Sequence, residues 1–247
     1  MPLSAVLLVL ASTVLHAGWN TRLHRGSDPE VVIAMAYLFV GIVLVPAAVV
    51  DPPGEVLGWV LVSSVSQGLY MGLLGSAYRA GSLGVAYPIA RGTAPLLTGL
   101  GGWLLLDETP SLATVVGLIV LVFGLLSLAG LGTQRREKRA VVLAAVTGLC
   151  TVAYSLIDAH SVDLTGAMGY LSVVMVLSSL GVLAVRRPAM ARLRLAFSES
   201  VVVGLGQGGA YGLVLLAFQQ AQAGQVSGLR QVSVVLGVLI AWESLGP

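Results

Sequence analysis

Polar and charged residues in this 247-residue chain collect in short clusters, and nine apolar stretches of about 20 residues run between them. The stretches lie at roughly 3–23, 31–50, 57–78, 83–106, 111–131, 140–160, 165–185, 201–221 and 224–245. Runs of that length span a bilayer when wound as helices. Backbone groups in lipid must be bonded within their own segment, so each stretch is predicted to be a transmembrane helix. The apolar–polar alternation over about ten positions that marks the strands of an outer-membrane barrel is not visible. The first stretch, MPLSAVLLVLASTVLHAG, lacks basic leader residues and eight more follow it, so it reads as an uncleaved helix rather than a signal peptide.

The links between stretches set an orientation. Of 13 Lys and Arg, only Arg91 and Arg230 sit within apolar stretches. The other 11 are Arg22, Arg25, Arg79, Arg135, Arg136, Lys138, Arg139, Arg186, Arg187, Arg192 and Arg194, and all border the first, third, fifth or seventh link. By the positive-inside bias the odd links face the cytoplasm and the amino terminus lies outside. The run QRREKR reads most simply as a topology anchor.

The second half of the chain echoes the first. Ser12, His16 and Asn20 share one helical face, and Thr147, Thr151 and Ser155 repeat it 135 positions later, with Trp19 matched by Tyr154. Gln67, Gly68 and Gly72 match Gln207, Gly208 and Gly212 at an offset of 140, while Arg91 and Trp103 match Arg230 and Trp242 at 139. Four matches in order at nearly constant offset define two units, residues 1–133 with five helices and residues 139–247 with the counterpart lacking its last helix. An odd number of crossings inverts the second unit in the membrane, an arrangement typical of secondary transporters, whose substrate sites lie between the repeats.

Composition sharpens this picture. The chain is 57% hydrophobic and 10% charged, with mean hydropathy +0.94, whereas a soluble domain carries about a quarter charged residues. The net charge of +2 gives no reason to expect a nucleic-acid partner. The single cysteine, Cys150, excludes an internal disulfide and reads as core filler. No phosphate-cradling glycine loop, metal-ligand spacing or HExxH occurs, so an ATP motor, a metalloprotease and a bound cofactor are not expected.

Candidate chemistry centres on the two arginines. Arg91 stands eight residues into its stretch, about 12 Å deep at 1.5 Å per residue, where a charge costs about 2.5–3.5 kcal/mol on insertion scales. It either snorkels to the interface or lines a cavity, where it would bind a carboxylate or phosphate. Tyr87, Pro88, Pro95 and Thr98 share its face, and the prolines free carbonyls that lipid would not satisfy. Ser227 and Ser233 flank Arg230. The polar stripe of Ser12, His16 and Asn20, and the pair Gln67 and Gln207 with Tyr70 and Tyr211 nearby, either line the cavity or bond neighbouring helices. The glycines of GQGGAYG at 206–212 point to close helix packing. Asp158 and Glu243 stand near stretch ends, so coupling through a buried acid finds little support, and His16 is the alternative proton carrier.

Three stretches together resemble a family: HAGWN near the start, AYPIARGTAPLL with the following WLLLDETPS, and GQVSGLRQVSVVLG near the end. They are similar to the EamA-domain branch of the drug/metabolite transporter superfamily, and the resemblance runs along the whole chain. It implies an all-α integral membrane fold of ten helices in two inverted five-helix repeats, with helices 1–4 and 6–9 around a central cavity. It implies a bacterial inner-membrane carrier, typically an exporter of amino acids, organic anions or other small metabolites. Carried over by position, His16, Trp19, Asn20, Tyr87, Arg91 and Arg230 face the cavity. Nine helices are expected here against the family's ten, and self-association as a homodimer is one way to cover the gap. The other readings are a membrane scaffold or receptor, and a membrane enzyme on lipid-linked substrates that would use Asp158, His160 and Asp163.

Overall fold

The computed structural model describes all residues except 25–27, 81–82, 131–137 and 234–247, and all side chains within them except those of 24, 74–80, 83–93, 125–126, 128–130 and 140. The described residues form ten α-helices and no strand. These are α1 Leu3–His24, α2 Pro29–Val43, α3 Val45–Val50, α4 Leu57–Ala80, α5 Leu83–Leu105, α6 Leu112–Gly130, α7 Lys138–Val162, α8 Ala167–Arg186, α9 Met190–Phe218 and α10 Ala223–Leu229. A 3-10 turn at Gly54–Val56 leads into α4. Five of these regions, Leu3–Leu23, Gly54–Leu73, Val141–Val162, Ala167–Arg186 and Met190–Phe218, are long and apolar enough to cross a bilayer, and Pro29–Val43, Ala94–Leu105 and Leu112–Gly124 are shorter apolar helices. Leu3, Val14, Leu69, Leu105, Phe123 and Phe197 are among many large apolar side chains exposed on the outside. A soluble monomer does not present so continuous an apolar surface. The chain is an all-α, multi-pass membrane protein.

Three boundaries differ from the hydropathy pattern. The stretch at 31–50 is two helices that break at Leu44, because Pro46 has no N–H to give and its ring crowds the preceding turn. The eighth stretch is α9, which starts at Met190 rather than near 201. Its first turns follow Pro188 and carry the exposed Arg192 and Arg194, so they are helical without being apolar. The ninth stretch is not one continuous helix in its described part: α10 ends at Leu229, and Arg230 and Gln231 form a turn.

The helices interlace. α1 and α2 both pack on α9, α4 packs on α7 and α8, α5 on α7, and α2 on α8. Every one of these contacts joins residues 1–130 to residues 138–229. Glycine makes the closest approaches possible. A side chain at Gly204 would meet the Ala36 carbonyl oxygen at 3.0 Å, and one at Gly208 would meet Val40 at 2.5 Å. The packing role expected of the 206–212 glycines holds, because Gly206 lies against Trp19 and Gly212 against Met168.

The links meet in matching sets. Arg186 pairs with Glu30 at 2.7 Å and Arg192 with Asp28 at 3.6 Å, which joins the first and seventh links. Glu108 accepts a bond from the Ala223 backbone N–H at 2.5 Å, which joins the fourth and eighth. Asp107, in the left-handed region at φ 54°, which Asp tolerates better than most residues, turns the chain so that Glu108 folds back on Gly102. Partial burial pushes the Glu108 carboxyl up from its ordinary value, and the Ala223 and Gly224 N–H groups work against that rise.

Candidate functional site

At the centre of the bundle α7 carries Tyr154 and Asp158, one turn apart and so on one face. Asp158 is fully buried. On the facing side of α4, Ser63 and Gln67 are also one turn apart and buried. The carboxylate is bonded from three helices. Oδ1 accepts from the Ser63 hydroxyl at 2.5 Å and the Tyr170 hydroxyl of α8 at 2.6 Å. Oδ2 accepts from Gln67 Nε2 at 3.2 Å and from the Tyr211 hydroxyl of α9. An ionised carboxylate offers about four lone-pair positions, and each is used here by a side chain.

Tyr211 links this carboxylate to a cation. Its hydroxyl donates to Asp158, and the Arg230 guanidinium lies 5.6 Å from its ring centroid, within cation–π range. Arg230 acts electrostatically on Asp158. The backbone explains why Arg230 is there. Its N–H still bonds the Val226 carbonyl, but the Gln231 and Ser233 N–H groups reach only three residues back, and the Ser233 hydroxyl takes the Arg230 carbonyl at 2.7 Å. A cation just beyond α10 also suits the negative end of that helix. Tyrosines extend the cluster: Tyr211 and Tyr154 meet edge to face at 6.0 Å, Tyr154 and Tyr70 at 5.9 Å, and Tyr37 belongs to the same core.

The residues singled out from sequence divide into three groups. Gln67, Tyr211 and Arg230 come together around Asp158. His16 and Trp19 form a separate group on the α1–α9 seam, where their rings meet edge to face at 4.8 Å and Trp19 packs on Gly206, and Gln207 is buried on α9. Trp19 Nε1 and Gln207 Oε1 are each buried without a hydrogen-bond partner, and Asn20 is half-buried on α1. Tyr87 and Arg91 belong to α5, but their side chains lie outside the described residues, as do Trp242 and Glu243. α5 itself runs unbroken through Pro88 and Pro95.

Asp158 requires a correction. Standing four residues from the end of α7, it reads from sequence as an end-of-stretch residue rather than a buried acid, yet it is the most enclosed charge-bearing group described. Nearness to a helix end does not imply exposure when three other helices close over that end. Ser63 and Tyr170 escape the sequence reading with it. The signal lay in the i, i+4 spacings of Ser63 with Gln67 and of Tyr154 with Asp158. The same contacts separate the trio that an enzyme reading would need. Asp158 is committed to four donors, the His160 ring packs on Trp59 at 5.7 Å, and Asp163 is exposed. A hollow of about 530 Å³ between α6 and α10, lined by Thr114, Leu118, Leu121, Gln225, Gly228 and Gln231 among others, shares no residue with the cluster.

Apolar spanning helices that enclose a bonded carboxylate beside an arginine define a polytopic membrane protein with an ionisable cluster in its interior. The profile of the EamA-like transporter family matches residues 3–130, just over half of the chain. The chain belongs to that family. Its fold is shared by a solved structure described as "Crystal structure of protein", with a TM-score of 0.78 at 18% identity, covering 99% of this chain and 89% of that one. No curated protein matches the sequence.

Proposed function

We propose that this protein is a secondary carrier that moves a small organic solute bearing an anionic group, such as an amino acid or an organic anion, across the bacterial inner membrane by alternating access. The observation that carries the reading is Arg230, a permanent charge held inside the bundle at a helix break and backed by the Tyr211 ring. Discontinuous helices that present charge and free backbone groups near the midplane are how many carriers build their sites. Arg91, at the matching position of the first half, is its partner in the site. His16, Trp19 and Asn20, with the unpartnered Gln207 Oε1, line the approach along α1 and α9, and Tyr87 completes the wall.

Residues 1–133 and 139–247 act as inverted repeats that rock against each other. The packing supports this. Exchanging the halves turns the α4–α7 contact into α9–α1 and the α2–α9 contact into α8–α4, and all four occur. The charge pattern puts the odd links in the cytoplasm.

The test starts with thermal-shift screening of the purified protein against amino acids and organic anions, and then measures flux of the stabilising solute into vesicles. Arg230→Gln and Arg91→Gln are each expected to lower flux at least tenfold, the loss that one charge-assisted contact of about 1.5 kcal/mol represents. Unimpaired flux in both variants at normal expression rejects the assignment.

A further inference from the structure

We propose that the corner between α8 and α9 is a docking surface for an anionic phospholipid, whose phosphate sits on Arg187 and Arg194 while an acyl chain lies along α9. The site is separate from the carrier reading and does not depend on it. Helix length comes first. α9 has 29 residues, about 43 Å at 1.5 Å per residue, whereas the hydrocarbon core of a bilayer is about 30 Å thick. Counting back about 20 residues from Phe218 puts Glu199 at the edge of that core. Residues 190–198 then lie among the headgroups. They read MARLRLAFS, in which Met190, Leu195 and Phe197 are exposed together with Arg192 and Arg194. Leu195, and Val185 at the end of α8, are each 83% exposed. Outward-facing apolar side chains interleaved with arginines suit the boundary between headgroups and acyl chains.

Charge selects the lipid. Arg186, Arg187, Arg192 and Arg194 all stand at this corner. Two of them are balanced, because Arg186 pairs with Glu30 and Arg192 with Asp28. Among the described residues, Arg187 and Arg194 have no acidic partner. Glu199, the other acid on these turns, follows Arg194 by five residues and so stands on a different side of the helix. The backbone explains the place of Arg187. It caps α8 in the left-handed region at φ 44°, and Pro188 follows, so the chain turns sharply into α9. Its Nε–H donates to the Ala184 carbonyl at 3.3 Å, which leaves the two terminal nitrogens available to a phosphate. No side chain caps the start of α9, so the first N–H groups of that helix add a weaker pull on an anion.

The face that Arg194 shares identifies the partner as lipid. Ala191, Arg194, Leu195, Ser198, Val202 and Leu205 recur at helical spacing on one side of α9, and all six are exposed. Val202 and Leu205 stand within the bilayer span, so the stripe runs unbroken from the guanidinium to the lipid-facing surface. Leu205 is about 16 Å below Arg194 at 1.5 Å per residue. That is close to half of the hydrocarbon core, the reach of one acyl chain. The opposite side of α9 is taken up by the bundle, where Ala196 and Val203 pack with Val31, Val32 and Ala36 of α2. A water-soluble acidic partner would meet the arginines but has nothing to lay along a stripe that continues to mid-bilayer.

The test uses the full chain in phosphatidylcholine vesicles, with a bimane fluorophore on Ala191→Cys in a Cys150→Ala background and nitroxide-labelled phospholipids as quenchers. Nitroxide phosphatidylglycerol is expected to quench at a lower mole fraction than nitroxide phosphatidylcholine, by about fivefold for each unpaired arginine at low salt. Added salt is expected to shrink that preference. Arg194→Gln is expected to lose about fivefold, and Arg187→Asn, which suits the left-handed region, as much again. Lys138→Gln with Arg139→Gln, which removes two basic residues from another link, is expected to keep the preference. Equal quenching by the two lipids overturns the proposal. So does a preference that survives in the double variant Arg187→Asn, Arg194→Gln, or one that falls as far in the Lys138 and Arg139 variant. If the double variant does not fold, Arg194→Gln alone, on an exposed helix face, decides the matter by the same readout. Loss of the preference on adding millimolar glycerol phosphate assigns the corner to a soluble anion and overturns the lipid assignment.

Discussion

Tyr170→Phe removes one oxygen from a fully buried ring and leaves its volume almost unchanged. The lost hydroxyl donates at 2.6 Å to Asp158 Oδ1, where Ser63 is the other donor. A hydrogen bond to a charged group contributes about 1.5–3 kcal/mol. At about 2–4 °C per kcal/mol for a chain of this length, the melting temperature should fall by about 3–12 °C. The assay is thermal unfolding in detergent, followed by circular dichroism and tryptophan emission. A double-mutant cycle with Asp158→Asn then isolates the pair. In the Asp158→Asn background the acceptor is uncharged, and Tyr170→Phe should be felt by less than half as much. A loss below about 0.5 kcal/mol in the wild-type background, or an equal loss in both, would mean that the hydroxyl does not serve the carboxylate, and the donor count at Asp158 would be wrong.

Other expectations test other parts of the molecule. Glu108 holds its proton more tightly when folded than when unfolded, because burial raises its pKa above the ordinary 4.5. Its contribution to stability should therefore fall as pH rises from about 4.5 through the raised value. Glu108→Gln should remove that slope, and a wild-type advantage over Glu108→Gln that grows with pH would contradict it. Gly208→Ala places a methyl group 2.5 Å from Val40 and should destabilise by about 1–3 kcal/mol, with part recovered by Val40→Ala, as denaturation of the double variant would show. Single cysteines at Asp107 and at Arg187, in a Cys150→Ala background, should react with an impermeant thiol reagent from opposite faces of the membrane. Labelling of both from one face would refute the assigned topology.

Hydropathy made the membrane class and nearly every helix legible, because lipid imposes a length and an apolar composition that few other environments share. The break at Pro46 was also legible in principle, since a proline within an apolar run signals a kink. The helical start at Met190 was not, because amphipathic turns in water carry no apolar run. The site was half legible. Repeat matching singled out Gln67, Gln207 and Arg230, but it is blind to a residue present in one half only, and Asp158 is such a residue. Its burial depends on α4, α8 and α9 closing over the end of α7, a long-range arrangement that no local pattern encodes.

The interlaced packing has a consequence for biosynthesis. When α4 enters the bilayer, Ser63 and Gln67 face a partner that has not been made. The 91 residues that separate Gln67 from Asp158 take roughly 5–18 s to translate at about 5–20 residues per second. Throughout that interval two polar side chains sit among acyl chains with no carboxylate to bond, so early helices gain by lingering beside the insertion channel until α7 arrives. A ribosome that stalls between them would leave the nascent bundle as a target for membrane proteases.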